Sequence, residues 1–134
     1  MNDELNLDTK PVSLVTGASR GIGKAVALRL ANLGYTVIGT ATSDAGANTI
    51  TESIISTGGK GHGAVLDVNN QTQAEDLVST ITAEFGSISV LINNAGVTED
   101  NLLLRMKKSQ WENVVNTNLN AIFSLTKICL KGMT

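Results

Sequence analysis

One cysteine, one proline and one histidine stand in 134 residues, and the aromatic side chains amount to two Phe, one Tyr and one Trp. The lone Cys129 excludes an internal disulfide, and its place in a helical apolar pattern reads as a small buried hydrophobe. With no second histidine and no cysteine spacing around it, His62 excludes a zinc site of ordinary ligand pattern. Between Gly61 and Gly63 it reads as an exposed loop residue. So few aromatics leave the core to aliphatic side chains. No basic block is present and the net charge is −2, which argues against nucleic acid and anionic membrane as partners. No stretch approaches the roughly 18 apolar residues of a membrane span. Residues 1–10 are polar, without the apolar run of a signal peptide, and are expected to form a flexible tail on a cytoplasmic protein. What is abundant is aliphatic and small: 42% hydrophobic residues and 13 glycines, which suit one compact α/β domain over residues 11–134.

Short apolar strands alternate with helical patterns. Val12 to Thr16 reads as the first strand, and Ile22, Val26, Leu30 and Leu33 as one face of a first helix stopped by Gly34. Tyr35 to Thr40 is a second strand. Ala47, Ile50, Ile54 and Ile55 mark a second helix ending before Gly58-Gly59, with Asp44 as its expected cap. Gly63 to Val68 is a third strand. A capping box, Thr72-Gln73-Ala74-Glu75, opens a third helix with the stripe Leu77, Val78, Ile81 and Phe85. Ile88 to Asn93 is a fourth strand. A second box, Ser109-Gln110-Trp111-Glu112, opens a long helix to about Lys131, with Gly132 as its end. This pattern predicts a doubly wound parallel sheet covered on both faces, in the order 3-2-1-4, with a ligand crevice between strands 1 and 4.

The most informative segment is Thr16-Gly17-Ala18-Ser19-Arg20-Gly21-Ile22-Gly23, which joins the first strand to the first helix. Its glycines permit a tight turn and close approach of a ligand. The helix N-terminus then offers free N–H groups and a partial positive charge to a pyrophosphate. A ribose 2′-hydroxyl would call for a carboxylate just past the second strand. That strand instead ends Gly39-Thr40-Ala41-Thr42-Ser43, and the acid arrives only at Asp44. Arg20 in the turn, with Thr42 beside it, is placed for a 2′-phosphate and favours NADP over NAD; the alternative is a solvated loop arginine.

Three further groups are candidates. Asp67 and Val68 close the third strand, where a carboxylate can accept from an adenine amino group or form an Asx turn. Asn93-Asn94-Ala95-Gly96 follows the fourth strand, where adjacent amides can bond a ribose and neighbouring backbone, or simply build a turn. Asn118 is the one strongly polar member of the face Trp111, Val115, Asn118, Ile122, Leu125 and Cys129. A buried amide needs partners, and spacing alone favours a structural amide over one that orders an active-site water.

These residues resemble the short-chain dehydrogenase/reductase family, in the subtype with a T-G-x-x-x-G-x-G turn (Thr16–Gly23) and an N-N-A-G loop (Asn93–Gly96). Within it, the stretches 37–43, 100–107 and 116–119 resemble the bacterial reductases of 3-oxoacyl thioesters on acyl-carrier protein. The resemblance implies a Rossmann-like fold and NADPH-dependent reduction of a 3-ketoacyl thioester in fatty-acid synthesis, by a full-length homotetramer. It implies cofactor contacts from Gly17, Ser19, Arg20, Gly21, Ile22, Gly23, Thr42, Asp67, Val68, Asn94, Ala95 and Gly96. It also makes Asn118 a member of the catalytic group, reversing the structural reading.

The family's Ser and Y-x-x-x-K pair follow a fifth strand, beyond Thr134. The only Tyr in the chain, Tyr35, has no Lys four residues on. The sequence therefore reads as the front half of a larger protein, truncated before the fifth strand and expected to be inactive alone. The competing expectations are a non-catalytic dinucleotide-binding module and another carbonyl reductase of the family. Ser89-Val90-Leu91-Ile92 is expected to form an exposed sheet edge.

Overall fold

The computed structural model describes residues 11–95 and 107–133, with the side chains of 116 and 117 left aside. The expected tail at 1–10, Gly96 and most of the segment 100–107 lie outside the described residues. Four strands, β1 (Val12–Val15), β2 (Thr36–Ala41), β3 (Lys60–Val65) and β4 (Ile88–Ile92), alternate with α1 (Gly21–Asn32), α2 (Asp44–Ser56) and α3 (Gln71–Phe85). A helical run then follows: α4 (Lys108–Val115), a π-helical turn (Asn116–Asn120) and α5 (Ala121–Met133). All strand pairs are parallel and the order is β3-β2-β1-β4. This is the Rossmann-like α/β fold expected from the alternation.

Strand parity builds the two layers. Successive side chains point to opposite faces, so Val12 and Leu14 of β1 join Ile38, Leu66, Ile81, Ile88, Leu125 and Cys129 in one buried cluster. Val15 and Val37 join Ala27, Ala31, Ile50 and Ile54 in the other. The chain steps β1 to β2 to β3 in one direction, then returns past β1 to β4. Right-handed crossovers accordingly place α1 and α2 on one face and α3 on the other. That reversal opens the crevice at the carboxyl ends of β1 and β4.

Several local expectations are corrected. β3 runs from Lys60 to Val65 rather than Gly63 to Val68, because it pairs with β2 from Thr36↔Lys60 to Ala41↔Val65. His62 is thus a half-buried strand residue whose ring lies 6.0 Å from that of Phe85. On α1, Gly23, Ala27 and Ala31 are fully buried and Val26 and Leu30 pack half-buried against the same cluster, while Ile22 and Leu33 are exposed. Small side chains win there because the helix lies close against the first turn. In α2, Ala47, Ile50 and Ile54 are buried but Ile55 is exposed. Ser43, not Asp44, caps α2 by accepting from Gly46 N at 3.1 Å. Asn70, not Thr72, caps α3 by accepting from Gln73 N at 3.0 Å. The long helix begins at Lys108, where Gln110 Oε1 accepts from Lys107 N at 2.8 Å, and Gly132 is within α5.

The stripe expected from Trp111 to Cys129 is broken by the π turn. A continuous α-helix turns about 100° per residue; a wider i→i+5 turn takes in one extra residue and shifts every later side chain around the axis. Leu125 and Cys129 are buried with Ala121, whereas Trp111 and Ile122 are exposed. β4 forms one margin of the described sheet, and Val90, Leu91 and Ile92 are half-buried.

Candidate functional site

Thr16 organises the crevice. It closes β1, is 1% exposed, and its backbone N–H donates to Ile92 O at 3.1 Å. Its hydroxyl oxygen accepts from Asn94 N at 3.0 Å and Ala95 N at 2.9 Å and donates to Ile92 O at 3.4 Å. A hydroxyl has one proton and two lone pairs, so all three are used. The next residue, Gly17, has φ +64 and donates to Thr40 Oγ1 at 3.3 Å. A Cβ there would stand 3.0 Å from Ala95 Cα. Asn94 returns across the gap, donating from Nδ2 to Gly17 O at 3.0 Å. The ends of β1, β2 and β4 are thereby cross-tied by three side chains, those of Thr16, Thr40 and Asn94.

Helix α1 leaves this turn almost touching it. A Cβ on Gly23 would fall 2.0 Å from Gly17 O and 2.5 Å from Asn94 Nδ2. Arg20 occupies the N-cap position with extended backbone and no side-chain cap bond, and the first turn holds no acidic residue. The first amides of a helix have no intrahelical acceptor. α2 and α3 meet this need with Ser43 and Asn70; α1 has no side-chain cap.

In front of that helix end lies an open cleft of about 380 Å³. Of the residues singled out from sequence, Gly17, Ser19, Arg20, Gly21, Thr42, Asn94 and Ala95 line it. Thr40, Ala41 and Leu66 complete it and were not singled out. For Thr40 a signal existed: a buried hydroxyl at the end of an apolar strand needs a partner, and it takes the amide of Gly17. Leu66 arrives because β3 ends at Val65, and its N–H donates to Ala41 O at 2.9 Å.

The remaining candidates lie around this cleft rather than in its wall. Gly23 is buried behind it, and the side chain of Ile22 is 75% exposed. Asp67 is exposed; its Oδ1 accepts from Asn69 N at 2.9 Å, an Asx turn, and its own N–H donates to Gln73 Oε1 at 2.6 Å. Val68 lines a second cleft of about 380 Å³ together with Asn69, Asn113 and Asn120. Asn118 sits half-buried in the π turn, is not without a partner, and lines neither cleft. Among the described residues no cluster of His, Cys, Asp or Glu is arranged to hold a metal ion, and no helix is long and apolar enough to cross a membrane. Cys129, 1% exposed beneath β4, has its thiol pushed up to about 11 by burial.

Comparison with known proteins agrees with this geometry. The family model for short chain dehydrogenase matches residues 11–134. The 3-oxoacyl-(acyl-carrier-protein) reductase FabG of Vibrio cholerae is 51% identical over 129 residues, which cover 96% of this chain and 51% of the relative. The protein of the same name from Pseudomonas aeruginosa is 51% identical over 123 residues, covering 92% and 50%. That from Escherichia coli K12 is 46% identical over 129 residues, covering 96% and 51%. The chain spans about half the length of these curated relatives. With a glycine turn, an uncapped α1 and a parallel sheet in the order β3-β2-β1-β4, and with the family pattern matched from residue 11 to 134, the chain belongs to the short-chain dehydrogenase family.

Proposed function

We propose that these residues form the cofactor-holding part of an NADPH-dependent reductase of 3-oxoacyl thioesters on acyl-carrier protein, working in fatty-acid synthesis. The single observation that carries the cofactor half of this reading is α1. Its N-terminus lacks a side-chain cap and an acidic first-turn residue, and it opens on a cleft walled by Gly17, Ser19 and Gly21. A pyrophosphate there takes the place of the missing cap. The substrate half rests on the relatives, whose printed names specify that thioester. The proposal includes a cytoplasmic, homotetrameric full-length protein.

Bound NADPH supplies a hydride to the 3-carbonyl. The amides of Gly21, Ile22 and Gly23 would hold the pyrophosphate, and Arg20 and Thr42 would take the 2′-phosphate. Asn94, Ala95 and Gly96 meet a ribose, and Asp67 and Val68 border the adenine. Asn118 orders the water through which a proton reaches the alkoxide left by hydride transfer. General acid catalysis and orientation of the carbonyl contribute several powers of ten to such a step. The one Tyr in the sequence, Tyr35, immediately precedes β2 and has Gly39 four residues on. The chain alone is therefore expected to bind the cofactor without turning over substrate.

The test is titration of the 134-residue chain with NADPH and NADH by nicotinamide fluorescence, followed by addition of an acetoacetyl thioester. Expected are tighter binding of NADPH and no oxidation of it. Absence of any dinucleotide binding overturns the reading; turnover at the rate of a full-length reductase overturns the placement of the active site.

A further inference from the structure

We propose that Thr126, on α5, is a positioning residue for the turn that follows β4: its hydroxyl holds Asn93 and so fixes residues 94 and 95 from the side opposite β1. Asn93 Nδ2 donates to Thr126 Oγ1 at 3.3 Å, across 33 positions of sequence. Both residues are half-buried.

The turn is held tightly from the side of β1. From β1, the Thr16 hydroxyl takes the amides of Asn94 and Ala95, and Gly17 O takes the side chain of Asn94. All of these act on one flank. From the other side α5 packs against β4 and stands beside the turn, where it can supply a further restraint. α5 is well anchored for this: Leu125 and Cys129 are buried in the same cluster as Ile88 of β4. Thr126 follows Leu125, and its hydroxyl is bonded to the turn.

The residue type fits the task. A β-branched side chain in a helix is confined at χ1, so the threonine oxygen is held in place before Asn93 reaches it. Valine has the same shape but no acceptor and would leave a partly buried amide unmet, which costs more than the bond itself contributes. The same helical run carries Asn118 eight residues upstream, on the π turn. Thr126 therefore ties the cofactor turn to the element that bears the candidate catalytic amide.

The inference rests on the dinucleotide reading only for its affinity arm, and the experiment separates the two. Wild type, Thr126→Val and Thr126→Ser are compared by amide hydrogen exchange at Asn94 and Ala95, by thermal melting and by NADPH titration. In Thr126→Val, exchange at both amides accelerates and NADPH binding weakens, each by roughly 3- to 10-fold, with a melting temperature lowered by only a few degrees. Thr126→Ser restores both to within about twofold, since it keeps the hydroxyl. Asn93→Ala, made from the other partner, accelerates the same two amides, and the double variant adds nothing further. Wild-type exchange in Thr126→Val, or a serine variant that behaves like the valine one, overturns the tether. Should Thr126→Val not fold, the Asn93→Ala exchange decides: wild-type rates at Asn94 and Ala95 overturn it. If wild type binds no NADPH, the dinucleotide reading falls and the exchange rates alone decide Thr126.

Discussion

Thr16 Oγ1 lies 2.9 Å from Ala95 N, joining the end of β1 to a residue 79 positions later. The same oxygen accepts from Asn94 N at 3.0 Å. Two amides in the crossing region thus depend on one buried hydroxyl. Thr16→Val keeps the shape and removes the acceptor, leaving both amides in a partly buried place. It is expected to lower unfolding stability by about 2–3 kcal/mol, measured by urea denaturation. Thr16→Ser should lose less than half of that. A serine variant that loses more than the valine one would mean that the methyl, not the hydroxyl, is what the site requires.

Gly23 sets how closely α1 approaches the turn. A Cβ there meets Gly17 O at 2.0 Å, and a backbone atom cannot move aside as a side chain can. Overpacking against rigid neighbours costs about 1–3 kcal/mol or more. Gly23→Ala is expected to fall at the upper end and to abolish dinucleotide binding, because the turn must open to admit the methyl. Ile22→Ala, one residue earlier and 75% exposed, serves as the control. Its denaturation midpoint should match wild type.

Arg20 is expected to separate the two nicotinamide cofactors. It lines the cleft with Thr42, and among the described residues no acidic one shares that wall. A charge-assisted hydrogen bond to a phosphate contributes about 1.5–3 kcal/mol. Arg20→Ala should weaken NADPH by that amount and NADH by little. Equal weakening of both would place Arg20 on the pyrophosphate or on the fold, and would remove the assignment to NADP.

Patterns with a short physical period were legible in the sequence. The strand order follows from alternating apolar strands and helices with right-handed connections, and the glycine turn was recognisable because a strand precedes it and a helix follows. What escaped depends on distance across the fold. Nothing local marks Leu66 as a cleft residue, since its place follows from β3 ending at Val65, and that end is set by pairing with β2. On α1, Val26 and Leu30 pack inward as the spacing predicts, but Ile22 and Leu33 do not. The helix lies so close to the turn that Gly23, Ala27 and Ala31 fit and Ile22 does not. The stripe through Asn118 failed for another reason: a constant angle per residue cannot register a π turn, and that turn rests on backbone geometry that no single residue type announces.

Asn118 sits on that turn, a kind of irregularity frequent at functional sites. In a protein carrying these residues with the remaining length of its relatives, Asn118→Ala is expected to lower kcat by about 10²-fold, the lower range for a lost proton-transfer element. NADPH affinity should stay within about twofold. An unchanged kcat, or a variant whose only defect is a lowered melting temperature, would return Asn118 to a structural role.

Cys129 gives the fold a pH dependence at its alkaline end. Its thiol is 1% exposed beneath β4, and burial raises it from the ordinary 9.0 to about 11. The folded state therefore holds the thiol proton more tightly than the unfolded chain does. Below pH 9 both states are protonated and the thiol adds no pH dependence. Between pH 9 and 11 the unfolded chain sheds the proton first, so stability falls as pH rises, by up to about 1.4 kcal/mol per pH unit. Above 11 both states ionise and the slope vanishes. The measurement is a difference, which cancels every other group: urea unfolding of wild type and of Cys129→Ala at pH 8, 9, 10 and 10.5. The alanine variant starts lower, by about 1 kcal/mol for the lost sulfur packing. The gap should shrink from pH 9 upward and then reverse, because only wild type carries the ionising group. Parallel curves would mean that the thiolate reaches water in the folded chain and that Cys129 is not sealed beneath β4.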